Sequence, residues 1–208
     1  MKNRLAYRQL VGVPCFLRYL QPMGIRLEIH PKNPQPRFIQ QAVKCLEDGG
    51  VIIYPTDTVY ALGCDIQNKK ALERVCQIKG IDPDKSQFSC ICPDLKTVSE
   101  YAIHIGDGVF KMMRRACPGP YTFILEASKN IPKHFQSRRK TVGVRIVDHP
   151  IPLAIVQALG RPILTSSLPI AGDEYPVDPD EIEAEFGHLV AMIVDGGWGL
   201  SALSTVID

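Results

Sequence analysis

Apolar residues recur along this chain in two rhythms, and the switch between them lays out its elements. Over 34–48, Phe38, Ile39, Ala42, Val43 and Leu46 fall at helical spacing, with Pro34 at the start and Gly49 at the stop, which predicts a helix. The unbroken run Val51, Ile52, Ile53 predicts a buried strand over 50–54. Asn68 stands where it caps a helix over 69–79, with Leu72, Val75 and Cys76 inward and Gly80 ending it. Strand patterns follow at 88–92, 121–127, 141–147, 162–166, 190–194 and 204–208. Helical patterns cover 95–101, 109–115, 152–159 and an acidic stretch at 179–186, and the longest loops fall at 128–140 and 168–178. This mixture predicts an α/β or α+β fold built on a mixed sheet, with no internal repeat.

At 208 residues, one domain with one substantial core is the expectation. No apolar run approaches a membrane span, and the cysteine usage makes a cytoplasmic protein the expectation. The first 26 residues hold Arg4, Arg8, Arg18 and Arg26 and no acid, and Arg18 interrupts the apolar stretch that a secretory signal needs. Residues 1–25 are therefore expected to be a non-core extension, and 26–208 the folded domain. Net charge is only +2, but it is uneven: residues 1–161 carry 24 Lys/Arg against 13 Asp/Glu, and 162–208 carry none against 9. Such a division suits an anionic partner or, equally, two regions that neutralise each other in space. Seven cysteines without a C-x-x-C pair fit buried reduced thiols better than zinc or disulfides.

The chemistry concentrates where the 50–54 strand breaks at Pro55 into Thr56, Asp57 and Thr58, followed by Tyr60. In α/β folds strand ends face the ligand crevice, although polar turns are common everywhere. Lys79 sits at the C-terminal end of its helix, where a cation also suits the helix dipole. No G-x-G-x-x-G, P-loop, H-E-x-x-H or G-x-S-x-G occurs, and the five histidines have no partners at metal spacing.

The run "PTDTVYALGCD…ALERVCQIKG", with Cys117-Pro-Gly-Pro-Tyr-Thr122, Thr141-Val-Gly-Val-Arg145, Pro162-Ile-Leu-Thr-Ser-Ser167 and Ser204-Thr-Val-Ile-Asp208, resembles the YrdC/YciO-like family of threonylcarbamoyl-AMP synthases and their paralogues. The resemblance extends from about Leu27 to Asp208. It implies a twisted mixed sheet curled around a large concave cavity. It also implies condensation of L-threonine, bicarbonate and ATP into threonylcarbamoyl-adenylate and pyrophosphate, for tRNA modification. Magnesium would arrive on the ATP phosphates rather than in a protein cage. Carried over residue by residue, Lys79 is the phosphate-facing lysine and Thr58 holds threonine, with Thr56 and Tyr60 in the same motif. Thr141 and Ser167 contact ATP, and Arg145 meets the threonine carboxylate. Thr165, Ser204 and Thr205 lie in cavity-lining motifs.

Two positions depart from the synthase pattern. Lys-x-Arg reads Lys79-Gly80-Ile81, and Ser-x-Asn reads Ser167-Leu168-Pro169. Lys85 stands where synthases usually carry asparagine and is a candidate to replace part of the missing charge, and Cys90 stands where they carry histidine. These changes resemble the YciO branch. The chain also ends inside a strand-like motif, where family members are expected to run further. Three readings follow: a weak threonylcarbamoyl-AMP synthase, an enzyme acting on AMP or other AMP-linked or nucleotide substrates, and a tRNA- or double-stranded-RNA-binding module.

Overall fold

The computed structural model describes residues 23–83, 88–135, 140–170 and 174–208. Among them are six helices and one ten-stranded mixed sheet. In chain order these are β1 (Ile25–Glu28), α1 (Pro36–Glu47), β2 (Ile52–Tyr54), β3 (Ala61–Asp65), α2 (Lys69–Lys79), β4 (Ser89–Ile91), α3 (Leu95–Tyr101) and β5 (Ala102–Ile103). They continue as α4 (Asp107–Ala116), β6 (Tyr121–Ala127), β7 (Thr141–Arg145), α5 (Pro150–Leu159), β8 (Ile163–Ser167), α6 (Pro179–Phe186), β9 (Met192–Asp195) and β10 (Thr205–Ile207). The sheet order is β1-β9-β2-β3-β8-β4-β7-β6-β10, with β5 beside β6.

The local signals act as the sequence leads one to expect. Asn68 Oδ1 accepts from the Ala71 N–H at 3.0 Å, and Gly80 ends α2 in the left-handed conformation at φ 63°. Three strands lie outside the predicted elements: β1, although Ile25, Arg26, Leu27 and Glu28 alternate, and β5 and β3, which carry no clear pattern. The last reads Ala-Leu-Gly-Cys-Asp and is a strand because β2 and β8 pair with it on both sides. Ile25, assigned by composition to the extension, is the first residue of β1, and the Gly24 N–H already donates to Gly187 O at 2.8 Å. Residues 1–22 lie outside the described residues.

The two faces of the sheet have different cover. One face packs Val51, Ile53, Leu62, Cys64, Cys90 and Leu164 against Leu72, Val75 and Cys76 of α2. On the other, α1 and α5 cover Ile52, Tyr54, Ile91 and Ile163 with Ile39, Val43, Ile151 and Ile155. Beyond the end of α1 and α5 that second face changes character, and the cavity lies there. No helix among the described residues is long and apolar enough to cross a membrane.

Candidate functional site

Strand register explains the cavity floor. On the second face β8 runs Ile163, Thr165, Ser167, and β4 runs Ile91, Ser89, so both strands change from aliphatic to hydroxyl residues along their length. Pairing sets Ser89 opposite both Thr165 and Gly143, and Ala61 opposite Ser167. β7 adds Thr141, Gly143 and Arg145 by alternation, and β6 and β10 add Thr122 and Val206. Small residues leave the space open: a Cβ on Gly143 would come within 2.3 Å of Ser89 Oγ. The result is a cavity of about 170 Å³ lined by Thr58, Ser89, Thr122, Arg145, Thr165 and Ser167, among others. A second lobe of about 180 Å³ shares Ser89, Thr122 and Val206 with it and adds Phe88, Phe135 and Thr141.

The Thr56–Thr58 turn and Arg145 form one hydrogen-bonded chain. Arg145 Nη2 donates to Asp57 Oδ1 at 2.8 Å and to Thr58 Oγ1 at 3.1 Å. Thr56 Oγ1 donates to Val59 O at 2.7 Å and accepts the Thr58 N–H at 3.0 Å. Because its single proton goes to Val59 O, Thr56 Oγ1 must accept from Thr58 Oγ1 across their 2.9 Å contact. Thr58 therefore offers the cavity a lone pair rather than a proton. Asp57 Oδ2 accepts from the Asp148 N–H at 3.0 Å, which ties the turn to the entry of α5.

Arg145 is only 7% exposed and its Nε has no hydrogen-bond partner. The Tyr54 hydroxyl is the other buried side-chain polar atom without one among the described residues. Burial pushes its pKa up, and the neighbouring Thr165 side chain offsets part of that rise. Native proteins leave few buried polar atoms unsatisfied; of these two, only Arg145 Nε belongs to a cavity-lining residue, whereas Tyr54 lines neither lobe.

Lys79 approaches from α2. Its Nζ donates to the Ser167 carbonyl at 2.5 Å, at the end of β8, and burial lowers its pKa from the ordinary 10.5 to about 8. A buried amine beside one carbonyl gains too little to offset lost hydration.

The structure thus brings Thr58, Arg145, Thr165, Ser167 and Ser204 to one cavity and Thr141 to its second lobe. Ser204 Oγ shares a hydrogen bond with Thr122 Oγ1 at 2.9 Å. Thr56 supports the turn from behind. Tyr60 points to the opposite face: its hydroxyl donates to Gly197 O at 2.6 Å and accepts the Gly196 N–H at 3.1 Å, and burial raises its pKa to about 12. Thr205 is exposed, out of phase with the lining residues Ser204 and Val206. Lys85, Arg138 and Arg139 lie outside the described residues. Ile81 packs against the apolar core under α2 rather than into the cavity. Sequence reasoning did not single out Ser89, Thr122 or the role of Asp57. The first two are ordinary strand residues until register sets them together, whereas Asp57 was visible in the turn. Among the described residues no group of three or more His, Cys, Asp or Glu is placed to hold a metal.

These elements define an α/β protein with a hydroxyl-lined concave floor on a mixed sheet, one buried arginine in its wall, and a lysine bonded to the carbonyl of Ser167. The chain belongs to the Sua5/YciO/YrdC family, whose model, described as telomere recombination, matches residues 44–208. It is 44% identical over 182 residues to YciO of Escherichia coli (strain K12), covering 86% of this chain and 87% of that protein. The crystal structure of E. coli YciO superposes with a TM-score of 0.84 at 41% identity, over 89% of this chain and 90% of that one. The threonylcarbamoyl-AMP synthase of Vibrio vulnificus (strain YJ016) is 31% identical over 163 residues, 77% of this chain and 87% of that protein. Pyrococcus abyssi Sua5 complexed with L-threonine matches with a TM-score of 0.81 at 27% identity, over 88% of this chain and 54% of that chain.

Proposed function

We propose that this cavity binds a nucleotide together with a small amino acid and joins them slowly, as a threonylcarbamoyl-AMP synthase of low activity. The carrying observation is the convergence of Arg145, Thr58, Thr165 and Ser167 on one cavity, with Lys79 bonded to its Ser167 edge. The synthase relative and the threonine-bound Sua5 structure support it.

In the forward reaction a carbamate oxygen of N-carboxy-threonine attacks the α-phosphate of ATP and pyrophosphate leaves. The protein's task is to align the reactants and balance developing charge. Lys79 supplies charge to the phosphates by turning from the Ser167 carbonyl. Ser167 and Thr141 hydrogen-bond the nucleotide, with Thr165 and Ser204 completing the wall. Thr58 accepts from a donor on the amino acid, and Arg145 faces its carboxylate. Magnesium arrives with the ATP phosphates, since among the described residues the cavity-lining side chains are hydroxyls, apolar groups and one guanidinium, with no carboxylate. Low activity follows from Ile81, which packs partly buried against the core where a synthase offers arginine, and from Pro169, which lacks an amide side chain. We also assign the protein a cytoplasmic setting and a secondary affinity for tRNA or double-stranded RNA.

Pyrophosphate release from ATP, bicarbonate and L-threonine tests the reading. Slow release that requires all three is expected, and Ile81→Arg with Pro169→Asn should raise it. A second reading, other chemistry on AMP-linked or nucleotide substrates, is favoured by Ile81, which packs against the core and is not among the cavity-lining residues. Nucleotide binding by calorimetry without pyrophosphate release in either form would select it.

A further inference from the structure

The guanidinium of an arginine offers a planar anion two gripping edges, Nη1 with Nη2 and Nε with Nη2. Nη2 belongs to both. In this protein both Nη2 protons of Arg145 are engaged, one by Asp57 Oδ1 at 2.8 Å and one by Thr58 Oγ1 at 3.1 Å. A ligand carboxylate therefore finds neither edge complete. It also meets a charge already balanced by the Asp57 carboxylate, itself almost buried. Asp57 is not part of the cavity wall and acts only through Arg145, while the Asp148 N–H fixes its second oxygen. The unpartnered Arg145 Nε shows that this internal pairing leaves the guanidinium incompletely satisfied.

We propose that Asp57 is a built-in competitor for the anionic end of the ligand, a positioning residue that holds Arg145 out of a two-bond grip and so weakens carboxylate binding selectively. This rests on the reading that an anionic group of the ligand meets Arg145. With Asp57 in place, a carboxylate receives single bonds from a neutralised cation. Without it, the same carboxylate meets a full, uncompensated charge and a complete fork.

Calorimetric titration of the wild type, Asp57→Asn and Asp57→Ala with L-threonine, L-threoninol and acetate tests the proposal. L-threoninol keeps the skeleton and lacks the carboxylate, and acetate probes the carboxylate site alone. Both variants should bind the carboxylates about tenfold more tightly, as expected when a neighbouring like charge is removed. Their affinity for L-threoninol, whose ammonium gains nothing from a freed guanidinium, should stay the same or fall. Alanine gives up the Asp148 bond that asparagine can keep, so either variant carries the test if the other fails to fold. Unchanged or weaker carboxylate binding would overturn the proposal, as would an equal gain for L-threoninol or no carboxylate binding by any of the three proteins. A gain for acetate with no binding of L-threonine would uphold the competitor and sink the amino-acid reading of the cavity.

Discussion

Lys79 shows how one side chain is tuned by its position on an element. The last turn of α2 sets its amine against the Ser167 carbonyl, and burial there lowers its pKa to about 8. Two outcomes follow. Nucleotide binding that depends on a protonated amine should weaken as pH rises through about 8, and Lys79→Ala should weaken ATP or AMP binding about tenfold or more and flatten that profile. Stability should move the other way. From about 8 up to the ordinary 10.5 the unfolded chain binds the Lys79 proton more readily than the folded one, so this one group contributes a rise in folding stability with pH, against the opposite slope of Cys64, Tyr54 and Tyr60, whose pKa values burial raises. The stability of the wild type relative to Lys79→Met, from chemical denaturation across that window, should rise with pH. A difference between the two proteins that stays flat there would show that the amine is better solvated than its position implies. The lysine itself was legible in the sequence; its altered acidity was not, because that depends on the end of β8, 88 residues away.

At the scale of elements, what the sequence left hidden is register. Helices α2, α3 and α6 carry their own punctuation, and each matches the range its pattern predicts. β3 does not, since Ala61, Leu62, Gly63, Cys64 and Asp65 include no β-branched or aromatic residue. Its place is fixed by neighbours on both sides, and the site depends on it. The Tyr54 ring lies over Gly63, where a Cβ would come within 2.4 Å of Cε1. Gly63→Ala should therefore cost about 1–3 kcal/mol by overpacking, read as a lowered denaturation midpoint at unchanged slope. Loss of less than about 0.5 kcal/mol would mean that the ring has room to move. The same logic explains Ser89 and Thr122. Each is an ordinary strand residue in its own segment, and only the non-sequential order β8-β4-β7-β6 joins them to Thr165 and Arg145. Motif resemblance reached Thr58, Ser167 and Arg145 because those lie in continuous runs. It also swept in Tyr60 and Thr205, neighbours in sequence that alternation turns away from the cavity.

Over the whole molecule, the uneven charge is partly resolved within the fold. Arg26 on β1 donates to Asp180 and Glu183 of α6 and to Asp195 of β9, at 2.6, 2.8 and 2.7 Å, so basic and acidic regions do meet. Arg145 and Arg161 are likewise paired, with Asp57 and Asp65. A polyanion must look elsewhere, and α4 offers a place. Only Met113 of its ten residues is buried, and Lys111, Arg114 and Arg115 share one exposed side at helical spacing. RNA held there would be bound through phosphates, so its affinity should fall steeply with added salt and vary little with sequence. Each phosphate contact contributes about 0.9 to the slope of log affinity against log salt for a duplex. Changing Lys111, Arg114 and Arg115 together to glutamine should therefore lower that slope by up to about 3. It should leave nucleotide binding in the cavity unchanged, since none of the three lines it. Filter binding of tRNA and a double-stranded RNA across a salt series reads both quantities. An unchanged slope in the triple variant would take α4 out of RNA binding. Tight, salt-independent binding of one sequence would mean that bases, not phosphates, are being recognised.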